Sequence, residues 1–278
     1  MTCLIDVGGG NRGVYGAGVA ERLLDDGITF DYCIGVSAGS ANIVTYLAKQ
    51  NGRLYRFYHD YAFRPEYMSL KNRIKKGEYI GLDYIYDTIT DEGGEDPLDL
   101  KEIMKYKGLL ELTATDTETG KPVYFGKEDM DPHDYRVLRA SCSIPFVCKP
   151  VVCGGRAYFD GGISNPVPIE RALEKGCDKI VLVLTRPVDS IKKVGADGKA
   201  AKIIKGKYPE ISSQLMTRAE KYNEAVAKAI ELSREGKCLI LAPDDCCGVG
   251  TLRKTPENID ALYRKAYDDA AVVKSFLS

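Results

Sequence analysis

Three short motifs bring together residue types that can carry acyl transfer. The first, Gly35-Val36-Ser37-Ala38-Gly39, is a G-x-S-x-G placed where an apolar strand pattern gives way to a helical one. A serine at such a turn is lifted clear of the sheet on a strained backbone, and small neighbours leave room for a chain passing close by. Its hydroxyl then lies beside the first N–H groups of the following helix, where the local field is positive. Alone, the pentapeptide is also compatible with a glycine-rich turn that carries an incidental serine. The strand-turn-helix setting is what points to a nucleophile.

The second motif, Gly8-Gly9-Gly10-Asn11-Arg12-Gly13, also separates a strand from a helix and fits G-x-G-x-x-G. Two uses of its backbone N–H groups compete. A dinucleotide site wants an acid at the end of the second strand to hold a ribose hydroxyl. Here that strand ends in Ser37, and Asp31 sits at its other end. An oxyanion hole needs similar donors aimed at the atom under attack, and a glycine loop beside an elbow serine suits that use better. A merely structural tight turn is the third reading. Arg12 is expected to brace the loop, because a guanidinium stays charged at any working pH.

The third motif is Asp160-Gly161-Gly162, which follows a strand and in isolation reads as an ordinary turn. It gains interest because Ser37 needs a base. In an α/β-hydrolase the order is Ser, acid, then His, yet only His59 and His133 are present and no histidine follows His133. His59 lies in a tyrosine-rich stretch and His133 at an expected helix start; both read as solvated or capping residues. A nucleophilic Ser37 would therefore pass its proton to a carboxylate. A free aspartate, with a pKa of about 3.9, matches that work poorly unless burial raises it.

These three motifs, in this order, resemble the patatin-like phospholipases and acyl hydrolases over about residues 3–185. The chain as a whole looks like a bacterial subgroup with a helical C-terminal extension, here about residues 211–278. The resemblance implies a Ser-Asp dyad, with Ser37 as nucleophile and Asp160 as base. It places the oxyanion hole in Gly8, Gly9, Gly10, Asn11, Arg12 and Gly13, with Gly35 and Gly39 shaping the elbow and Gly161 and Gly162 completing the aspartate motif. It further implies an α/β three-layer sandwich with a mostly parallel central sheet. The activity implied is that of a serine acyl hydrolase of lipid carboxylic esters, phospholipase A- or lysophospholipase-like, working through an acyl-enzyme without metal or organic cofactor. The alternative is a non-catalytic lipid- or nucleotide-binding α/β protein that uses the glycine loop. One position departs from the pattern: relatives commonly carry a polar residue just before the three glycines, where this chain has Val7.

The elements needed to position these motifs follow from periodicity. Strands are expected at Cys3–Val7, Phe30–Val36, Leu109–Thr115, Val123–Phe125, Arg156–Phe159, Ile180–Leu184 and Cys238–Leu241. Helices are expected at Tyr15–Asp26, Ala38–Lys49, His133–Ser141, Ile169–Lys175, Ser212–Glu235 and Pro256–Phe276. The strand–helix alternation of the first fifty residues predicts a parallel sheet. Residues 186–210, rich in Lys and Gly, read as a mobile surface loop. No repeat or linker divides the chain, so one domain over residues 1–278 is expected.

Composition narrows the partners. With 39 basic and 40 acidic side chains, the net charge of −1 excludes a bulk basic field for nucleic acid. The stretch Arg53–Lys76 is locally different, with seven basic residues (53, 56, 64, 71, 73, 75, 76) against Asp60 and Glu66. Seven tyrosines fall between residues 55 and 86. Such a segment could meet anionic lipid at an interface, or be an ordinary surface over core tyrosines; transient membrane contact is therefore a hypothesis. Nine cysteines form no C-x-x-C pair, and Cys246-Cys247 has no further metal ligand nearby. Reduced, buried thiols are expected. The N-terminus does not read as a signal peptide and no run approaches ~18 apolar residues. A cytoplasmic protein acting on a lipid or other acyl ester is the expectation; its oligomeric state is left open.

Overall fold

The computed structural model describes residues 1–278. Its strands are β1 (Thr2–Asp6), β2 (Tyr32–Val36), β3 (Leu109–Asp116), β4 (Pro122–Phe125), β5 (Val151–Cys153), β6 (Arg156–Asp160), β7 (Lys179–Val183) and β8 (Cys238–Leu241). They form one sheet in the order β5-β6-β3-β2-β1-β7-β8, with β4 also paired to β3. From β3 through β2, β1 and β7 to β8 all pairs are parallel, whereas β4, β5 and β6 join antiparallel. The sheet is therefore mostly parallel, as expected.

Side chains of successive strand residues point to opposite faces, and this alternation builds the layers. Cys3 and Ile5 of β1, with Ile180 and Leu182 of β7, pack under Tyr222, Val226 and Ala229. Leu4, Val181 and Val183 face the other way, against Val14, Leu23, Ile259 and Leu262. The first face is covered by α7 (Ile169–Glu174) and α9 (Pro209–Arg234). The second is covered by α1 (Val14–Asp25), α2 (Ala38–Leu47) and α10 (Pro256–Asp269). In α9 the buried Ile211, Leu215, Ala219, Tyr222, Val226 and Ala229 recur at three- and four-residue steps, one stripe of a helix. α1 and α10 lie in close contact: a Cβ on Gly18 would sit 2.3 Å from the Tyr263 carbonyl oxygen.

Three stretches differ from expectation. Residues 53–99 are more ordered than their pattern suggested, with α3 (Arg53–His59), α4 (Leu70–Lys76) and a π-helical turn at Tyr84–Ile89, leading into α5 (Leu100–Lys105). Tyr58, Tyr61 and Tyr86 of this stretch are core residues. Four of the seven basic residues at 53–76 are paired with acids later in the stretch, Arg53 and Arg56 with Asp96, Arg64 with Glu95 and Lys76 with Asp83. α6 (Arg136–Ser141) starts later than expected, because Asp131–Asp134 form a turn in which Asp131 accepts the His133 N–H at 2.8 Å. Residues 186–210 are not a plain surface loop. They contain α8 (Gly195–Ile204), whose Ala201 and Ile204 are buried with Phe159, Ile211 and Leu215. The Lys/Gly composition concealed this two-residue anchor. The chain closes with α11 (Val273–Leu277), separated from α10 by a tighter turn at Ala270–Val272.

β3 carries a charge into the sheet. Glu111 is buried, accepts the Tyr32 hydroxyl at 2.6 Å, and receives two bonds from Arg171 of α7 at 2.7 and 2.9 Å. Burial alone would raise its carboxyl pKa; the bonds from Arg171 and Tyr32 outweigh that and hold it below the usual range. A depressed folded-state pKa stabilises above the unfolded pKa and is lost as pH falls through the folded value. Arg171→Ala should therefore cost about 1–3 kcal/mol at neutral pH, discounted because Arg171 is partly exposed. The deficit should shrink below about pH 4 as Glu111 takes up a proton. Urea denaturation at the two pH values checks this; an unchanged deficit would show that Glu111 is not the cause.

Candidate functional site

Strands β1 and β2 end side by side, Asp6 opposite Gly35, and each is followed by a turn into a helix. Ser37 occupies the turn after β2 with φ 57° and ψ −131°, a conformation that costs energy for a residue with a Cβ. The elbow is tight on both sides. A Cβ on Gly39 would lie 2.1 Å from the Asp6 carbonyl oxygen and one on Gly35 2.5 Å from the Ser40 Cα, so neither position admits a larger residue without movement. The Ser37 N–H donates to the Ser141 hydroxyl at 3.1 Å, which itself lies 2.7 Å from the Ser40 hydroxyl.

Asp160 closes β6 and reaches Ser37 across β3. Ser37 Oγ donates to Asp160 Oδ2 at 2.5 Å, and the Gly162 N–H donates to Oδ1 at 2.8 Å. The Asp160 N–H donates to the Ser143 carbonyl at 2.9 Å, fixing the strand end. Asp160 is buried, 3 % exposed. Burial raises its pKa, opposed by the Ser37 and Gly162 bonds and the Arg218 charge. The carboxylate is thus a stronger proton acceptor than a free one.

The glycine loop is anchored from beneath. Asp6 Oδ1 accepts the Gly8 N–H at 2.8 Å and Oδ2 accepts the Asn42 side-chain amide at 2.8 Å. The Asn11 N–H donates to the Thr251 carbonyl at 3.0 Å, and Arg12 Nη1 to the Thr251 hydroxyl at 3.0 Å. Asn42 also donates to the Gly13 carbonyl at 2.9 Å. The N–H groups of Gly9 and Gly10 have no acceptor within the protein, and both residues border the cavity that contains Ser37 and Asp160. Of the six loop residues singled out in the sequence, Gly8, Asn11, Arg12 and Gly13 hold the loop, while Gly9 and Gly10 present donors. Val7 leaves no gap in that support, because the acid one residue earlier provides it.

Two cavities meet at Ser37. The larger, about 590 Å³, is bordered by the glycine loop, Asp160, the segment after β7 and the middle of α9 at Leu215, Arg218 and Tyr222. The smaller is an apolar cleft of about 40 Å³ under the tyrosine-rich segment, walled by Phe57, Tyr67, Met68, Leu82 and Ile144. Neither histidine borders either cavity. His59 bonds Asp60 and stacks on Tyr55, and His133 is mostly exposed beside Asp91. All nine cysteines are free thiols, five of them buried.

Several residues that shape the site carried no motif. Asp6 is visible as an acid near the end of an apolar strand, and Ser141 and Ser143 as small polar residues at and just beyond the end of a helix. Lys192, Arg218 and Tyr222, all bordering the larger cavity, had no such signal. No helix is long and apolar enough to cross a membrane.

A family model described as patatin-like phospholipase matches residues 7–173, and a second, the domain of unknown function DUF6363, matches residues 208–273. The chain is 27% identical over 186 residues to the uncharacterized protein YjjU of Escherichia coli K12, covering 66% of this chain and 52% of that protein. It is 29% identical over 165 residues to an uncharacterized NTE family protein of Mycobacterium tuberculosis, covering 58% and 42%. It thus spans about half the length of these relatives. Among solved structures, VipD from Legionella pneumophila aligns with a TM-score of 0.48 at 13% identity, covering 99% of this chain and 66% of that one. With the family match running from the residue before the glycine loop into α7, across more than half of its length, the chain belongs to the patatin-like phospholipase family.

Proposed function

We propose that the protein is a serine hydrolase of lipid carboxylic esters that works through a Ser37–Asp160 dyad. The observation that carries this reading is the 2.5 Å bond from Ser37 Oγ to a buried carboxylate, inside a cavity that also holds the free N–H groups of Gly9 and Gly10. Ser37 Oγ attacks the ester carbonyl carbon while Asp160 Oδ2 takes its proton. The carbonyl oxygen becomes an oxyanion, stabilised by the Gly9 and Gly10 donors. The intermediate collapses by breaking the bond to the alcohol, which leaves with the proton from Asp160. Water then attacks acyl-Ser37 with Asp160 again as base, releasing the acid and restoring the serine. Donors of this kind matter because they are already oriented when charge develops; removing one typically costs ~10²–10³ in rate.

A fluorophosphonate probe should label the folded protein at Ser37 and leave Ser37→Ala unlabelled. Asp160→Asn should lower kcat on a short ester by about 10³ or more, whereas replacing both His59 and His133 should leave it near the wild-type value. Labelling that survives in Ser37→Ala, or loss of activity in the histidine variant, would overturn the dyad.

The raised pKa of Asp160 sets the acid side of the rate profile. Activity requires its ionised form, so the rate should fall as pH drops through a value above the ordinary ~3.9 of aspartate. A kcat/KM profile with its acid limb at or below that value would show that another group is titrating.

We further infer that α4 meets the lipid surface. Leu70 and Ile74, one turn apart, are 74% and 84% exposed, and exposed Lys71, Arg73 and Lys75 flank them. Apolar tips surrounded by cations suit an anionic bilayer. Arg73 also bonds the carbonyl of Phe146, which borders the larger cavity, so this face lies next to the site. Replacing Leu70 and Ile74 by Asp should weaken co-sedimentation with phosphatidylglycerol vesicles several-fold. Hydrolysis of a soluble short ester should change little. Equal binding by variant and wild type would remove α4 from the interface.

A further inference from the structure

The larger cavity has an unbalanced charge. Five cationic side chains border it, Arg12, Arg186, Lys192, Lys193 and Arg218, against two carboxylates, Asp160 and Asp197. Both acids are already engaged. Asp160 bonds Ser37 and Gly162, and Asp197 lies 3.4 Å from Arg218. Arg218 spends its Nε on the Gly162 carbonyl at 2.6 Å, which pins it beside the aspartate motif. Arg186 and Lys192 have no acidic partner.

Lys192 is the most telling of the group. Its backbone is fixed by a reciprocal pair of bonds with the Asn223 side chain, both 2.9 Å, so its position is built into the fold. Its ammonium sits 3.6 Å above the Tyr222 ring, half-buried. Burial, with the Arg218, Arg186 and Arg12 charges, pushes its pKa down to about 6. The Nε of Arg12 is buried with no partner at all. Like charges held together in a partly dry cavity repel strongly; a bound anion would offset that repulsion and favour the charged form of Lys192. A phosphate monoester carries roughly −1.5 to −2 charge and three acceptor oxygens. It can engage an ammonium and two guanidinium groups at once, which a single carboxylate cannot.

We propose that Arg186, Lys192 and Arg218 form a binding site for the phosphate of an anionic lipid ester, whose carbonyl reaches Ser37 where this cavity meets the apolar cleft. The assignment rests on the hydrolase reading of Ser37 and adds the substrate class. The apolar cleft, with room for only a few water molecules, takes the start of the acyl chain and must part to take more.

The kinetic test compares monooctanoylglycerol with the corresponding lysophosphatidate. In the wild type, kcat/KM should favour the lysophosphatidate by about a hundredfold. In Arg186→Ala and in Lys192→Met that preference should fall about tenfold or more, through KM, and Lys192→Arg should recover part of it. Thermal melts confirm that the variants fold. A wild-type ratio near one, or equal losses on both esters, would overturn the proposal. A second arm measures binding without turnover, by calorimetry on the intact chain carrying Ser37→Ala. Lysophosphatidate should bind at least tenfold more tightly than inorganic phosphate, and both should weaken about tenfold when Arg186 or Lys192 is also replaced. Equal affinity for the two would identify free phosphate as the ligand and overturn the lipid assignment. Phosphate binding that survives the replacements would overturn the site itself. Intact lysophosphatidate binding in a protein that hydrolyses neither ester would remove the hydrolase reading while leaving the anion site in place.

Discussion

The buried carboxylate of Asp6 is the point on which the site is assembled. It lies at the end of β1, 2 % exposed, and binds the loop through the Gly8 N–H and α2 through the Asn42 amide. α1 presses against the same group, since a Cβ on Gly16 would fall 2.1 Å from Asp6 Oδ2. No cation offsets its charge. Burial pushes its pKa up to about 6, opposed by the Asn42 and Gly8 bonds. An ionised carboxylate in such a place is tolerable only while both donors stay aimed at it. That demand turns the Gly8 N–H inward, and the next two N–H groups of the loop are left without a protein acceptor. The two unpaired N–H groups at the cavity wall thus follow from what happens beneath the loop.

Asp160 is a second buried aspartate at a strand end, but its hydrogen-bond partners differ. One oxygen is saturated by the Gly162 N–H and the other meets only the hydroxyl of Ser37. Asp6 is held by two donors that cannot give up a proton under working conditions, so it remains structural. Asp160 faces one donor that can. The two aspartates therefore differ in the identity of their hydrogen-bond partners, with burial common to both.

Much of this was legible in the sequence. The alternation of Cys3, Leu4 and Ile5, the glycine loop, the elbow around Ser37 and the Asp160 turn all depend on local spacing, which a sequence displays directly. The shortage of histidines gave the same message as the geometry, with neither imidazole near the cavities. What could not be read was contact across the fold. The Lys/Gly-rich run after β7 looked like a solvated loop because its anchors, Ala201 and Ile204, are only two and their partners lie on β6 and α9. The basic stretch at 53–76 looked electropositive because its countercharges, Asp83, Glu95 and Asp96, come later in the chain. A cationic cluster lies instead around Lys192, where single residues from separate elements converge without any pattern.

That convergence bears on what the C-terminal part of the chain contributes. The region matched by the patatin-like phospholipase model ends at residue 173, yet the wall of the larger cavity continues through Thr185, Arg186 and Lys192 to Arg218, Tyr222 and Thr251. α9 supplies Arg218 and Tyr222, and the Thr251 carbonyl and hydroxyl hold Asn11 and Arg12 in the glycine loop. β8 extends the sheet beyond β7, while α10 packs on α1, the helix that follows the loop. The later elements therefore brace the loop from outside as Asp6 braces it from within. They also give the cavity its charge. Ser37, Asp160 and the glycine loop come from the first part of the chain, and most of the cavity's cationic lining comes from the second.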